Sequence, residues 1–221
     1  MRLTWTCGVL RSTGCPSPRE VIKLGGSLLT MPDWPTRVAQ LVEDRAAMRP
    51  VLLVVGGGAI VDGLRTIDAA ARQDTRLIHH LAIDLMGTTA RLVAEALAVP
   101  IVSEPAQTSA AVLDAARWLA CEDRLARLPV GWNVTSDSIA AHVAVVAGVD
   151  LLLAKRVPPP DAGSDDRLEA LARSGWIDAH FAAVAAGLTH IAWAAPNPAP
   201  PSVPVPGFGR TTLEGGDPGR R

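Results

Sequence analysis

Val51-Leu52-Leu53-Val54-Val55 is a run of five apolar residues that stops at Gly56-Gly57-Gly58 and gives way to helical periodicity over residues 59–71. A strand that is apolar at every position has no face for water. It must be covered on both sides, the situation of a central strand in a parallel sheet between helices. The pattern recurs. Glu20–Leu24 is a short, mostly apolar stretch ending in Gly25-Gly26, and residues 149–153 form another run of Val and Leu broken only by Asp150. Helical spacing separates these runs, at residues 35–48 (Val38, Leu41, Val42) before Pro50, at 78–97, and at 136–147. Strands alternating with helices predict an α/β fold with a mostly parallel sheet.

Weaker signals fill the remainder. Residues 100–102 read as a short strand, 109–119 as a helix, 128–134 as a strand, 164–173 and 178–186 as helices, and 188–193 as a last strand. Residues 1–19 carry Cys7, Gly8, Gly14, Cys15, Pro16 and Pro18 and no continuous apolar stretch, so they read as a loose extension. Residues 196–221 are rich in Pro and Gly and read as an irregular tail. The folded domain is expected over 20–195.

Composition removes several classes of function. Hydrophobic residues make up 48% of the 221, while aromatics are limited to six Trp and two Phe, so the core must be built from Leu, Val, Ile and Ala. A net charge of −1 with no basic block leaves no nucleic-acid footprint. No apolar run is long enough to span a membrane. Three cysteines without metal-ligand spacing fit a reduced, cytoplasmic protein. The expected partner is a small molecule, with the chain itself assembling as a homo-oligomer.

The chemistry concentrates at a few places. Nineteen arginines stand against two lysines, Lys23 and Lys155, each at or just beyond the end of an apolar run. A chain that uses Arg for nearly every cation has little general need of Lys, whose compact ammonium on a flexible stem suits a phosphate site. At Lys155 chance placement and a functional role weigh equally. In open parallel sheets ligands bind beyond the carboxyl ends of the strands. Gly25-Gly26-Ser27 and Gly56-Gly57-Gly58 fall there, where glycines let backbone N–H groups approach an anion. Their placement suggests two neighbouring anionic subsites. Neither cluster is a Walker loop or a good G-x-G-x-x-G. A third segment, Thr135-Ser136-Asp137-Ser138, reads as a helix start with Thr135 or Ser136 as N-cap and Asp137 in the first turn.

Lys23-Leu24-Gly25-Gly26-Ser27, then Gly56-Gly57-Gly58, then Thr135-Ser136-Asp137-Ser138 resemble, in that order, the amino acid kinase superfamily. Residues 77–86 and 132–138 resemble most nearly its archaeal methanofuran-biosynthesis branch and the bacterial relatives of that branch. The resemblance implies a three-layer α/β/α sandwich and phosphoryl transfer from ATP, with Mg²⁺ bridging the donor phosphates. It implies that Lys23 neutralises the transferring group and that Asp137 orients the catalytic lysines. Gly25, Gly26 and Ser27, with Ser136, Ser138 and Arg156, would hold the nucleotide phosphates. Gly56, Gly57 and Gly58 would hold the acceptor, with His79 on the acceptor-side helix or simply capping that helix. Two departures stand out. Lys155-Arg156-Val157-Pro158-Pro159 replaces the usual Thr-Asp-Val-Asp-Gly nucleotide loop, and the family's late-helix lysine is missing from residues 177–187. Lys155 or Arg156 is placed to replace that lysine, so Lys155 joins the catalytic set. The alternative is a degenerate, non-catalytic homologue that binds a small anion.

Overall fold

The computed structural model describes residues 4–105, 108–160 and 167–197. Among these, seven strands form one sheet in the order β1-β7-β6-β2-β3-β5-β4. The strands are β1 (Trp5–Ser12), β2 (Glu20–Leu24), β3 (Val51–Val55), β4 (Ile101–Val102), β5 (Ala110–Leu113), β6 (Asp150–Ala154) and β7 (His190–Pro196). All neighbours pair in parallel except β1, which runs antiparallel to β7. The helices are α1 (Trp34–Ala46), α2 (Gly58–Ala70), α3 (Thr75–Leu97), α4 (Ala115–Leu119), α5 (Glu122–Leu125), α6 (Ser136–Ala147), α7 (Arg167–Arg173) and α8 (Phe181–Val184). The expected α/β/α sandwich is what the chain adopts.

The period of two along the central strands sorts the core into two layers. Ile22, Leu24, Leu53 and Val55 pack with Val38, Leu41 and Val42 of α1 and with Val93 of α3. Val21, Val54, Leu151 and Leu153 face the other way, against Ile139, Ala140 and Val143 of α6, Trp118, Leu171 and Phe181. Each such side chain contributes about 1.5–3 kcal/mol on burial. Lys23 lies on the second face and is buried among these residues at the carboxyl end of β2.

At the opposite edge of the sheet, Glu20 and Asp150 are direct neighbours in register. Two adjacent buried carboxylates repel. Arg49 resolves this by contacting Glu20 at 2.7 Å and Asp150 at 2.6 Å, and Arg45 adds contacts of 2.5 and 2.8 Å to Glu20.

Four local expectations change. Residues 5–12 are not loose: they form β1, and Trp5 donates from its indole to the Arg37 carbonyl at 3.1 Å. Ala110–Leu113 is a strand where alanine content favoured a helix, because pairing with β3 and β4 outweighs the local preference. Residues 128–134 form no strand. Pro129 lacks an N–H, Gly131 turns at φ 133°, and the ends are pinned by buried Leu128 and Val134. The helix expected over 178–186 shrinks to α8 and a short 3₁₀ turn. The Pro/Gly tail from 198 onward lies outside the described residues.

Candidate active site

Because β2, β3 and β6 are parallel and in register, their carboxyl ends bring Gly25, Gly56 and Lys155 to one edge of the sheet. The start of α6 points at the same edge. Thr135 is extended (φ −126°, ψ −170°), and its hydroxyl accepts from the Asp137 N–H at 3.3 Å, capping the helix. That frees the Asp137 carboxylate from capping. Its Oδ2 accepts from Lys155 Nζ at 2.8 Å, and its Oδ1 lies 2.8 Å from Lys23 Nζ, a contact held by charge and off the angle of a hydrogen bond. The only two lysines of the chain thus converge on one buried carboxylate.

The electrostatics follow from this packing. Burial pushes the Asp137 carboxyl up, but the ammonium groups of Lys23 and Lys155 outweigh it and hold Asp137 below the usual carboxylate range. Lys155 is lowered to about 8, first by burial and then by the neighbouring charge of Lys23, with Asp137 acting in the other direction. The Lys155 ammonium also donates to the Trp176 carbonyl and lies 4.7 Å from the centre of the Trp176 ring. Lys155 therefore reaches the turn that leads into residues 177–187.

The two glycine clusters are in backbone contact. A Cβ on Gly26 would lie 2.1 Å from the Gly58 nitrogen, and Gly58 opens α2 at φ 54°. The loops after β2 and β3 close on each other only because both positions lack a side chain. A Cβ on Gly56 would lie 2.7 Å from Ser136 Oγ, so Ser136 belongs beside the β3 loop. A side chain at Gly25 would begin 3.7 Å from Lys23 Nζ. The Gly25 backbone therefore passes directly beside the Lys23 ammonium.

Ser27, Gly57, Gly58, His79, Ser136, Asp137 and Lys155 all line one cavity of about 710 Å³. His79 sits one turn into α3 and is not its cap, a role taken by Asp74, whose side chain accepts from the Leu77 N–H at 2.9 Å. His79 Nδ1 accepts from the Gly131 N–H at 3.3 Å, while Nε2 is buried with no partner among the described residues. This arrangement assigns the neutral tautomer with its proton on Nε2. Burial pushes the imidazole below its ordinary range, and His80 adds to the effect.

Of the other expected residues, Lys23, Gly25, Gly26 and Gly56 do not line this cavity, and Arg156 and Ser138 stand further apart. Arg156 is exposed and turned toward Thr30, with a long 3.5 Å contact, so the Lys155-Arg156 pair splits across the strand direction. Ser138 is fully buried, and its N–H and hydroxyl are already engaged by Asp178 at 3.0 and 2.5 Å. Asp178 and Trp176 escaped the reading of the sequence, and Trp132, noted only as the start of the 132–138 segment, was given no role; its indole donates to Asp68 at 2.9 Å and carries the Arg65 guanidinium at 4.8 Å. A glycine after a helical run could have flagged the turn at Gly175. Nothing local could have tied Asp178 to a helix forty residues earlier.

Residues 18–128 match the model of the amino acid kinase family. The chain belongs to that family. Lys23, both glycine loops and His79 fall inside the match, and Asp137 and Lys155 lie beyond it. Family membership supports a phosphotransferase-type function. The fold is similar to that of the uridylate kinase of Archaeoglobus fulgidus, with a TM-score of 0.52 at 18% identity over 75% of this chain and 84% of that one. It is similar to the UMP kinase of Ureaplasma parvum, with a TM-score of 0.52 at 17% identity over 77% and 86% of the two chains. The aspartate kinase of Synechocystis gives a TM-score of 0.51 at 14% identity, over 80% of this chain and 40% of that one. At these identities the likeness is one of fold. No curated protein matches the chain.

Proposed function

We propose that this family member is an ATP-dependent small-molecule kinase, with an acceptor bearing a phosphate or carboxylate. The observation that carries the reading is the convergence of Lys23 and Lys155 on Asp137 at the carboxyl edge of the sheet. Phosphoryl transfer asks for positioning and charge neutralisation more than for covalent chemistry. Asp137 orients the two ammonium groups, and these neutralise the oxygens of the group in flight. Gly26 and Ser27 offer backbone N–H groups on the donor side, and Gly25, whose own N–H donates to the Ala154 carbonyl at 2.8 Å, holds the turn that presents them. Gly57, Gly58 and His79, which line the cavity, make up the acceptor side.

For the acceptor, the resemblance of residues 77–86 and 132–138 to the methanofuran-biosynthesis kinases supports a small ring-bearing phosphate of one-carbon cofactor biosynthesis. The Trp132 indole in the cavity wall suits a flat group. The same reading places the enzyme in the cytoplasm. It also makes it a homo-oligomer, consistent with the exposed Ile60 and Ile67 on α2 and Leu77, Leu81 and Leu92 on α3.

The test is thermal denaturation with and without Mg-ATP, alongside transfer of labelled γ-phosphate to candidate acceptors. At a hundredfold excess over Kd, a bound nucleotide stabilises by about 2.7 kcal/mol. A shift with transfer supports the kinase. The absence of a shift with any nucleotide would leave the degenerate anion-binding homologue as the better account.

A further inference from the structure

We propose that Asp178 is a positioning residue that locks the 174–178 turn onto the start of α6 and so keeps the Lys155 ammonium beside Asp137. The inference rests on the reading of Lys155 as part of the phosphoryl-transfer site.

The turn begins where α7 ends. Gly175 adopts φ 73°, and the N–H groups of Gly175 and Trp176 bond back to Ala172 and Leu171 at 3.0 and 2.9 Å. This is the left-handed helix stop that glycine permits. The chain then delivers the two Trp176 groups that meet Lys155, the carbonyl and the ring face. Two residues on, the Asp178 carboxylate crosses to α6. Oδ2 accepts from the Thr135 N–H at 3.0 Å, the Thr135 hydroxyl at 2.8 Å and the Ser138 N–H at 3.0 Å. Oδ1 accepts from the Ser138 hydroxyl at 2.5 Å and the His180 N–H at 3.1 Å.

Five donors on one carboxylate exceed what a helix cap needs, and Thr135 already caps α6 locally. The extra bonds join two segments. One carries the acceptor of Lys155 on α6, Asp137, and the other carries its second acceptor, Trp176. A lysine stem is flexible, and its head stays in place only while both acceptors keep their spacing. Lys155 is faced by Lys23 from β2, Asp137 from α6 and Asp178 from the turn, and the Asp178 charge also favours its protonated form.

The chain has only two lysines, so protein labelled with ¹³C at lysine Cε gives two side-chain resonances, Lys23 and Lys155. With Lys155 Nζ 4.7 Å from the centre of the Trp176 ring, an upfield ring-current shift is expected at the adjoining Cε methylene. In Asp178→Ala that shift should shrink, Lys155 should titrate at lower pH, and the Lys23 resonance should hold. Turnover with Mg-ATP and acceptor should fall about 10²-fold, the size expected of a small misplacement, with little change in KM for ATP. Asp178→Asn keeps the size of the side chain but turns an amide toward donors, and should move the same signals part-way. Arg49→Met, at the far edge of the sheet, is the control for destabilisation alone and should leave both resonances in place. Lys155 signals that stay unmoved in both Asp178 variants, recorded well below their melting temperatures, would overturn the proposal. Signals that move in a protein whose wild type transfers no phosphate would uphold the tether and remove the kinase reading alone.

Discussion

Lys23 and Asp137 are exposed by only 6% and 7% at the side chain, and they face each other at 2.8 Å. Charged groups so enclosed act strongly on whatever charge develops beside them. Lys23→Ala should lower turnover by the equivalent of about 3–4 kcal/mol of barrier while the fold persists. Asp137→Asn keeps the size of the side chain and leaves the Thr135 cap untouched. It should remain folded and lose most of its activity, because the two ammonium groups would then repel without their shared counter-charge. Full turnover in either variant, measured as transfer of labelled phosphate, would take that residue out of the mechanism. Lys155 adds a prediction in pH. With its ammonium lowered to about 8, activity should fall as pH rises through that value. Stability should move the other way. Between about 8 and the ordinary 10.5 the unfolded chain binds more protons at this site than the folded one, so the contribution of Lys155 to stability rises with pH there. Parallel activity and melting profiles from pH 7 to 10 would show the two trends diverging.

Among the elements, the amino ends of β2 and β6 are held in register by a shared arginine. Among the described residues, removing Arg49 leaves Glu20 with Arg45 alone and Asp150 without a cationic partner, both carboxylates almost fully buried. Breaking a buried pair in this way typically costs 3–5 kcal/mol. Since Arg45 remains, Arg49→Ala should destabilise by about 3 kcal/mol in urea titration. A loss below about 1 kcal/mol would mean the cluster is not what holds this edge. These are also the elements most legible in the sequence. Val51–Val55 and the strand ahead of Gly25-Gly26 announce themselves because buried parallel strands have no polar face. Ala110–Leu113 does not, because four small and aliphatic residues suit a helix as well as a strand, and only pairing with Val51 and its neighbours decides between them. β1 was hidden for a similar reason. An antiparallel edge strand with one exposed side carries no continuous apolar run, and its partner β7 lies nearly two hundred residues away.

For the molecule as a whole, two buried histidines set a limit toward acid. His79 and His142 are both buried, and burial is the first cause of the lowered value of each. The unfolded chain takes up protons at these sites near 6.5 while the folded chain resists. Their contribution is therefore complete above that value and is lost as pH falls toward the folded values. Melting temperature should drop between pH 7 and pH 5, and His142→Gln should flatten that drop. An equally steep profile in the variant would assign it to other groups. The same large-scale order explains what could be read without coordinates and what could not. The alternation of apolar runs and helical periods sufficed for an α/β fold with a mostly parallel sheet, and the glycines and Lys23 marked the carboxyl edge of that sheet, because these signals are local. Asp137 was legible locally as a helix-start carboxylate; that it orients lysines came from the family resemblance, because no neighbouring residue chooses between capping the helix and holding Lys23 and Lys155. The splitting of Lys155 from Arg156, the burial of Ser138 and the five bonds of Asp178 were decided by tertiary structure alone. Each depends on which side of a strand faces the site and on which distant segment supplies the hydrogen-bond partner, and neither is written in any window of neighbouring residues.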